Sequence, residues 1–148
     1  MKRSDRMQPV QRVISDAERQ QARRLAACER LVTEAEAKLT ELTRYHEDYC
    51  RNFQARAGAG MAGIGLRDFQ TFLARLDAAI RAQAEVVEST RARRDAERSS
   101  WQQAATRSKA VEHVVDRWRA EERQASDRRE QKETDERALH RPPGRPQD

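Results

Sequence analysis

Apolar residues recur in the first third of the chain at alternating steps of three and four. The row reads Leu25, Cys28, Val32, Ala35, Leu39, Leu42, His46, Tyr49 and Phe53, and only His46 is polar. A second row continues the same alternation from residue 66: Leu66, Phe69, Leu73, Leu76, Ile80, Gln83, Val87, Thr90, Arg94, Glu97, Trp101, Ala104, Ser108, Val111, Val115 and Trp118. Eleven of these sixteen are apolar. A 3.5-residue repeat held over so many turns predicts coiled coil rather than globular helix. The seam weakens at Glu18 and Gln21 in the first row and between Thr90 and Glu97 in the second.

The helix breakers divide the chain in the same way. Four of the five glycines are Gly58, Gly60, Gly63 and Gly65, and the four prolines are Pro9, Pro142, Pro143 and Pro146. Residues 10–55 and 66–139 hold neither type. The pattern predicts a helix over about 10–55, a Gly-rich turn over 56–65 and a helix over about 66–139. Together they form one all-α unit over residues 1–140, an antiparallel two-helix coiled-coil hairpin, followed by a disordered tail over 141–148. Pro9 is tolerated in the first helical turn, where its missing N–H has no partner to lose. In such a hairpin facing residue numbers sum to about 121, which sets Val111 opposite Val10 and Val115 near Met7. At 1.5 Å per residue the helices run to about 69 Å and about 111 Å, so the second overhangs the first. The overhang, residues 119–141, alternates in charge and reads as a solvated helix with i,i+4 pairs.

Composition agrees. Charged residues are 37% of the 148, hydrophobic ones 36% and aromatics 5%, too polar for a thick core. The formal net charge is +5, and 26 of the 30 basic residues are Arg. Residues 1–30 carry most of the excess, with eight basic side chains against four acidic ones. Arg favours bidentate pairing with carboxylates, and phosphate is the other partner it can take. Nucleic-acid binding is disfavoured, because no aromatic residues interleave with the basic ones and no groove-reading motif occurs. A plainly solvated face is the remaining reading.

Other chemistries are absent from the pattern. No apolar run reaches the roughly 18 residues of a membrane span, and the N-terminus lacks the apolar core of a signal peptide. Cys28 and Cys50 sit roughly 33 Å apart on one helix and cannot pair, which suits a reducing compartment. None of His46, His113 and His140 has a partner at i+4 that completes a recognisable metal motif, so no metal or cofactor is expected. The Gly-rich stretch lacks the Lys-Ser/Thr ending of a phosphate loop and reads as a link. A two-helix hairpin also offers no concave pocket, so an enzyme is not expected.

The informative feature is a second apolar row. With the seam at heptad positions a and d, the g positions include Leu31 and Tyr45 in the first helix and Phe72, Ala79 and Val86 in the second. In an antiparallel pair both g rows flank the same side of the seam, and they form an apolar strip in the half nearer the turn. A two-helix coil needs only a and d, so the surplus points to a partner. A broader stripe that simply packs the hairpin is the other reading.

Four features resemble the FliJ family of the flagellar type III export apparatus: the hairpin length, the Gly break and two motifs. The motifs are the spacing Leu42, Tyr45, Tyr49, Phe53 and the stretch LRDFQTFLARLDAAI over residues 66–80. The N-terminal basic stretch fits as well, although Phe69 stands where the pattern has Tyr. The resemblance implies a non-enzymatic stalk that links the export ATPase ring to the cytoplasmic part of the membrane export gate and handles empty export chaperones. Its implied place is the cytoplasm, at the inner face of the inner membrane. It implies a gate-binding patch of Leu42, Tyr45, Tyr49, Phe72, Leu76, Ala79 and Gln83. Ring contacts are expected from the Arg-rich end, at Arg12, Arg19, Arg23 and Arg24. The polar seam at Glu18, Gln21, Arg94 and Glu97 is expected to let the shaft flex. An injectisome stalk and a generic scaffold that binds no ATPase are the alternatives.

Overall fold

The computed structural model describes residues 1–60 and 63–144. It is all-α, with no strand among the described residues. The order is α1 (Arg3–Arg6), α2 (Gln8–Gly58, 51 residues) and α3 (Gly63–Leu139, 77 residues). The chain falls into two compact units, Arg19–Gln103 and Met1–Glu18 with Ala104–Asp148.

In the unit Arg19–Gln103, α2 and α3 pair antiparallel along the expected seam. Every predicted α2 seam position from Leu25 to Phe53 is buried or half-buried, with Cys28, Val32 and Ala35 fully so. On α3, Leu76, Gln83 and Val87 are the buried residues. Leu66 departs from expectation: it is 44% exposed, because the stack of Phe53 on Phe69 closes the seam one turn earlier. The ring centroids of that pair lie 3.6 Å apart at an interplanar angle of 14°. Gln83 is polar yet buried, and its amide Nε2–H donates to the Ala35 carbonyl at 3.0 Å. Burial without that bond would cost about 1–3 kcal/mol. The small Ala35 side chain leaves the approach to its carbonyl open.

The two flanks of this seam differ in kind. On the e side, Arg91 reaches Glu36 at 2.8 Å and Arg98 reaches Glu29 at 3.7 Å, across the helices. Such exposed pairs contribute about 0–1 kcal/mol each and act mainly to hold the register. On the g side Leu31, Tyr45 and Val86 remain 43–54% exposed.

The Gly-rich stretch is more helical than its composition predicts. α2 runs on through Gly58 and α3 begins at Gly63, so helix occupies much of the expected 56–65 turn. Residues 61 and 62 lie outside the described residues. The break falls at Gly60, whose φ of +88° is strained for any L side chain. Before it the helix tightens, with Ala59 N–H to Arg56 O at 3.1 Å and Gly60 N–H to Ala57 O at 3.3 Å.

The unit Met1–Glu18 with Ala104–Asp148 is built differently. The first helix starts at Gln8 rather than residue 10, and one further turn, α1, precedes it. Pro9 separates them: its ring crowds the carbonyl four residues back, at Asp5, and it donates no N–H to that carbonyl. Val115 is fully buried and Ser4 is 3% exposed. Beyond Ser126 every described residue of α3 is exposed, as the alternating charges predict. Residues 145–148 of the expected tail lie outside the described residues, and Arg141–Gly144 are exposed and non-helical.

Candidate functional site

The residues of the expected patch all sit in the unit Arg19–Gln103, on facing stretches of α2 and α3. Tyr45 meets Phe72 edge-on, with centroids 6.1 Å apart at 67°. Tyr49 lies 4.5 Å from Phe72 and stacks on Phe69 at 5.0 Å. With Phe53 these rings form one ladder across the helix pair, and aromatic pairs of this kind contribute about 0.5–1.5 kcal/mol each beyond their area. The ladder fixes the position of Tyr45, the most exposed of its rings at 54%.

The patch is not uniform. Tyr45 and Ala79 are exposed, and Leu42, Tyr49 and Phe72 are half-buried. Leu76 and Gln83 are buried, at 6% and 8% exposure. Those two cannot touch a partner while the seam is closed; they shape the surface from beneath. Leu31 and Val86, which the family pattern does not include, extend the exposed strip. A concavity also exists, contrary to expectation. It is an open hollow of about 790 Å³ lined by α2 residues that include Lys38, Glu41, Leu42, Arg44, Tyr45 and Asp48. The i,i+4 rows of side chains on one helix leave such shallow grooves.

The basic residues are placed otherwise. Arg19, Arg23 and Arg24 lie in this same unit, and Arg12 lies in the other. All four are exposed, and none forms an ion pair with another of the described residues. Their charge is open to an acidic partner. At the weak seam, Arg94 is half-buried and turns to its neighbour Asp95 at 3.0 Å. Gln21 Oε1 and Trp101 Nε1 are buried there without hydrogen-bond partners among the described residues.

Two polar clusters escaped the sequence reading. In the terminal unit Glu122 accepts from the Ser4 N–H at 3.1 Å and from the Ser4 hydroxyl at 2.6 Å. These bonds, with the charges of Lys2 and Arg3, outweigh desolvation and hold the Glu122 carboxyl below its usual range. Arg3 spans Glu121 at 3.0 Å and lies over the Trp118 ring at 4.4 Å. In the turn-bearing unit His46 Nε2 meets Asp77 Oδ1 at 3.0 Å, and His46 Nδ1 lies 3.9 Å from Cys50 Sγ. The i,i+4 spacing of His46 and Cys50 is visible in the sequence; Asp77 joins them only through the register. Both cysteines are free thiols.

Among the described residues no group of three His, Cys, Asp or Glu side chains could hold a metal ion. No described helix is long and apolar enough to cross a membrane. The sequence profile of the flagellar FliJ protein matches residues 2–146, essentially the whole chain. No curated protein and no solved structure matches it.

Proposed function

The chain belongs to the flagellar FliJ protein family, a component of the flagellar export apparatus, and from this premise we propose that it is the coiled-coil link between the export ATPase ring and the cytoplasmic part of the membrane export gate. The observation that carries the reading is the exposed apolar flank of Leu31, Tyr45, Ala79 and Val86 beside a fully formed seam. A hairpin that needed these residues for its own core would bury them; they stay open, as a docking strip does. Leu42, Tyr49 and Phe72 contribute their half-exposed edges, and Leu76 and Gln83 hold the strip in shape. The gate is the partner we assign to it.

Arg12, Arg19, Arg23 and Arg24 are assigned to the ATPase ring, because exposed guanidinium groups suit an acidic partner surface. Emptied export chaperones are further partners. The protein acts on the cytoplasmic side of the inner membrane, and it links ring and gate by contact. The buried, unpartnered polar atoms of Gln21 and Trp101 support a shaft that loosens at its weak seam.

The test is capture of the gate's cytoplasmic portion and, separately, of the export ATPase. Tyr45→Ala suits it better than any change at Phe72, because Phe72 also packs on Tyr49. The variant is expected to keep its helicity by circular dichroism and its hold on the ATPase, and to bind the gate at least about tenfold more weakly. A wild-type chain that binds neither protein leaves a spacer coil without ATPase binding as the reading.

A further inference from the structure

The e flank of the seam follows a regular scheme. Glu29 opposes Arg98 and Glu36 opposes Arg91, each an ion pair across the helices. Two heptads on from Glu36 the scheme changes: α2 presents Cys50, and α3 presents Asp77. Between them stands His46, a seam residue. Its Nε2 is 3.0 Å from Asp77 Oδ1, and its Nδ1 is 3.9 Å from Cys50 Sγ. Cys50 and His46 are half-buried, so the array reaches solvent while its imidazole is braced by both helices.

The chemistry follows from donor and acceptor capacity. An ionised carboxylate can only accept, so Asp77 requires the imidazole proton at Nε2. In the neutral ring Nδ1 then carries the lone pair, and it lies 3.9 Å from the Cys50 sulfur. A base aimed at a nucleophile and held in one tautomer by a third group is the arrangement that activates a thiol. Cys28 offers the contrast within the same unit: it is buried at 5% exposure, has no such neighbour and packs as a small apolar residue.

We propose that Cys50 is a thiol–disulfide exchange site toward small-molecule disulfides, with His46 as its base and Asp77 as the residue that positions His46. The Cys50 thiol gives its proton to His46 Nδ1, and the thiolate sulfur attacks one sulfur of the incoming disulfide. A mixed disulfide forms at Cys50 as the incoming S–S bond breaks. The departing thiolate takes the proton from His46 and leaves as a thiol. The incoming disulfide is the oxidant, and a second thiol reverses the step. Tyr49 and Phe53 adjoin Cys50 on α2, so the modification falls beside the aromatic ladder.

The experiment uses the full chain with oxidised glutathione as the probe. The mass of each cysteine-bearing peptide is followed in time, with Cys28 as the internal reference. Cys50 is expected to react in the folded protein, and His46→Gln and Asp77→Asn are each expected to slow it about a hundredfold, the low end of what a positioned base supplies. Asp77→Asn removes only the carboxylate charge of a half-buried residue beside the seam, so it decides the question if His46→Gln loses helicity. A structural role for Asp77 would not move the ¹⁵N signature of His46, which is expected to report the Nε2–H form in the wild type and a mixture of tautomers in Asp77→Asn. The proposal is overturned if Asp77→Asn exchanges at the wild-type rate, or if Cys50 reacts no faster in the folded chain than in urea.

Discussion

The two compact units join the same helices by different means. Between Arg19 and Gln103 the helices are joined by buried apolar side chains and stacked rings, with Leu76, Val87, Val32 and the Tyr49–Phe69–Phe53 ladder at the centre. In the terminal unit Val115 is the buried apolar residue among those described, and polar contacts also join the facing stretches: Ser4 to Glu122, Arg3 to Glu121 and Arg3 over Trp118. Apolar burial does not depend on the ionisation of a side chain, whereas charge-assisted contacts respond to pH and to screening by salt. One unit is therefore the stable anchor of the hairpin, and the other is a clasp whose hold depends on conditions.

The comparison is most exposed at its two buried centres. Leu76→Ala is expected to lower global stability by about 2–4 kcal/mol, as large-to-small changes in packed seams do. Val115→Ala removes less apolar surface and is expected to cost about 1.5 kcal/mol. That loss should appear as faster amide exchange confined to the terminal unit, while Leu76→Ala speeds exchange along both helices of the turn-bearing one. Equal, chain-wide effects would mean that the units do not differ as described.

A smaller effect tests the polar end of the stable unit. Gln21→Leu removes a buried carbonyl oxygen that has no donor, and is expected to raise stability by about 1 kcal/mol in urea titration. If motility is then unimpaired, flexing at this seam plays no part in function.

The last effect is confined to the clasp. The Glu122 carboxyl is held below its usual range by Ser4, so its contribution is fully present above the ordinary Glu range. It is lost as pH falls through the lowered folded value. The Ser4 amide resonance is expected to move in acid to its position in Glu122→Gln, with the turn-bearing unit's helicity unchanged.

How much of this was legible beforehand differs between backbone and side chains. The alternating three-and-four spacing dictated both helices and nearly every seam position, because in a two-helix coil the apolar stripe is the fold. Antiparallel pairing then followed from one short break, and the exposed strip of Leu31, Tyr45 and Val86 followed from the heptad. Polar groups were less legible. Gln83 fell both in the seam row and in the expected patch; it is buried in the seam, where a carbonyl on the facing helix satisfies its amide. Ser4 lay in a stretch without periodicity, and its burial rests on a carboxylate 118 residues away. His46 read as the one polar member of the first seam row, and its meeting with Asp77 came only with the structure, though His46 and Cys50 share an i,i+4 spacing.

The sequence alone thus determined what repeats: helix, seam, turn and flank, since each is set by local spacing. The tertiary structure decided what meets across the seam. A hydrogen bond needs its partner within about 3 Å, and heptad periodicity places a residue on a face without fixing the rotamer that brings two polar atoms that close.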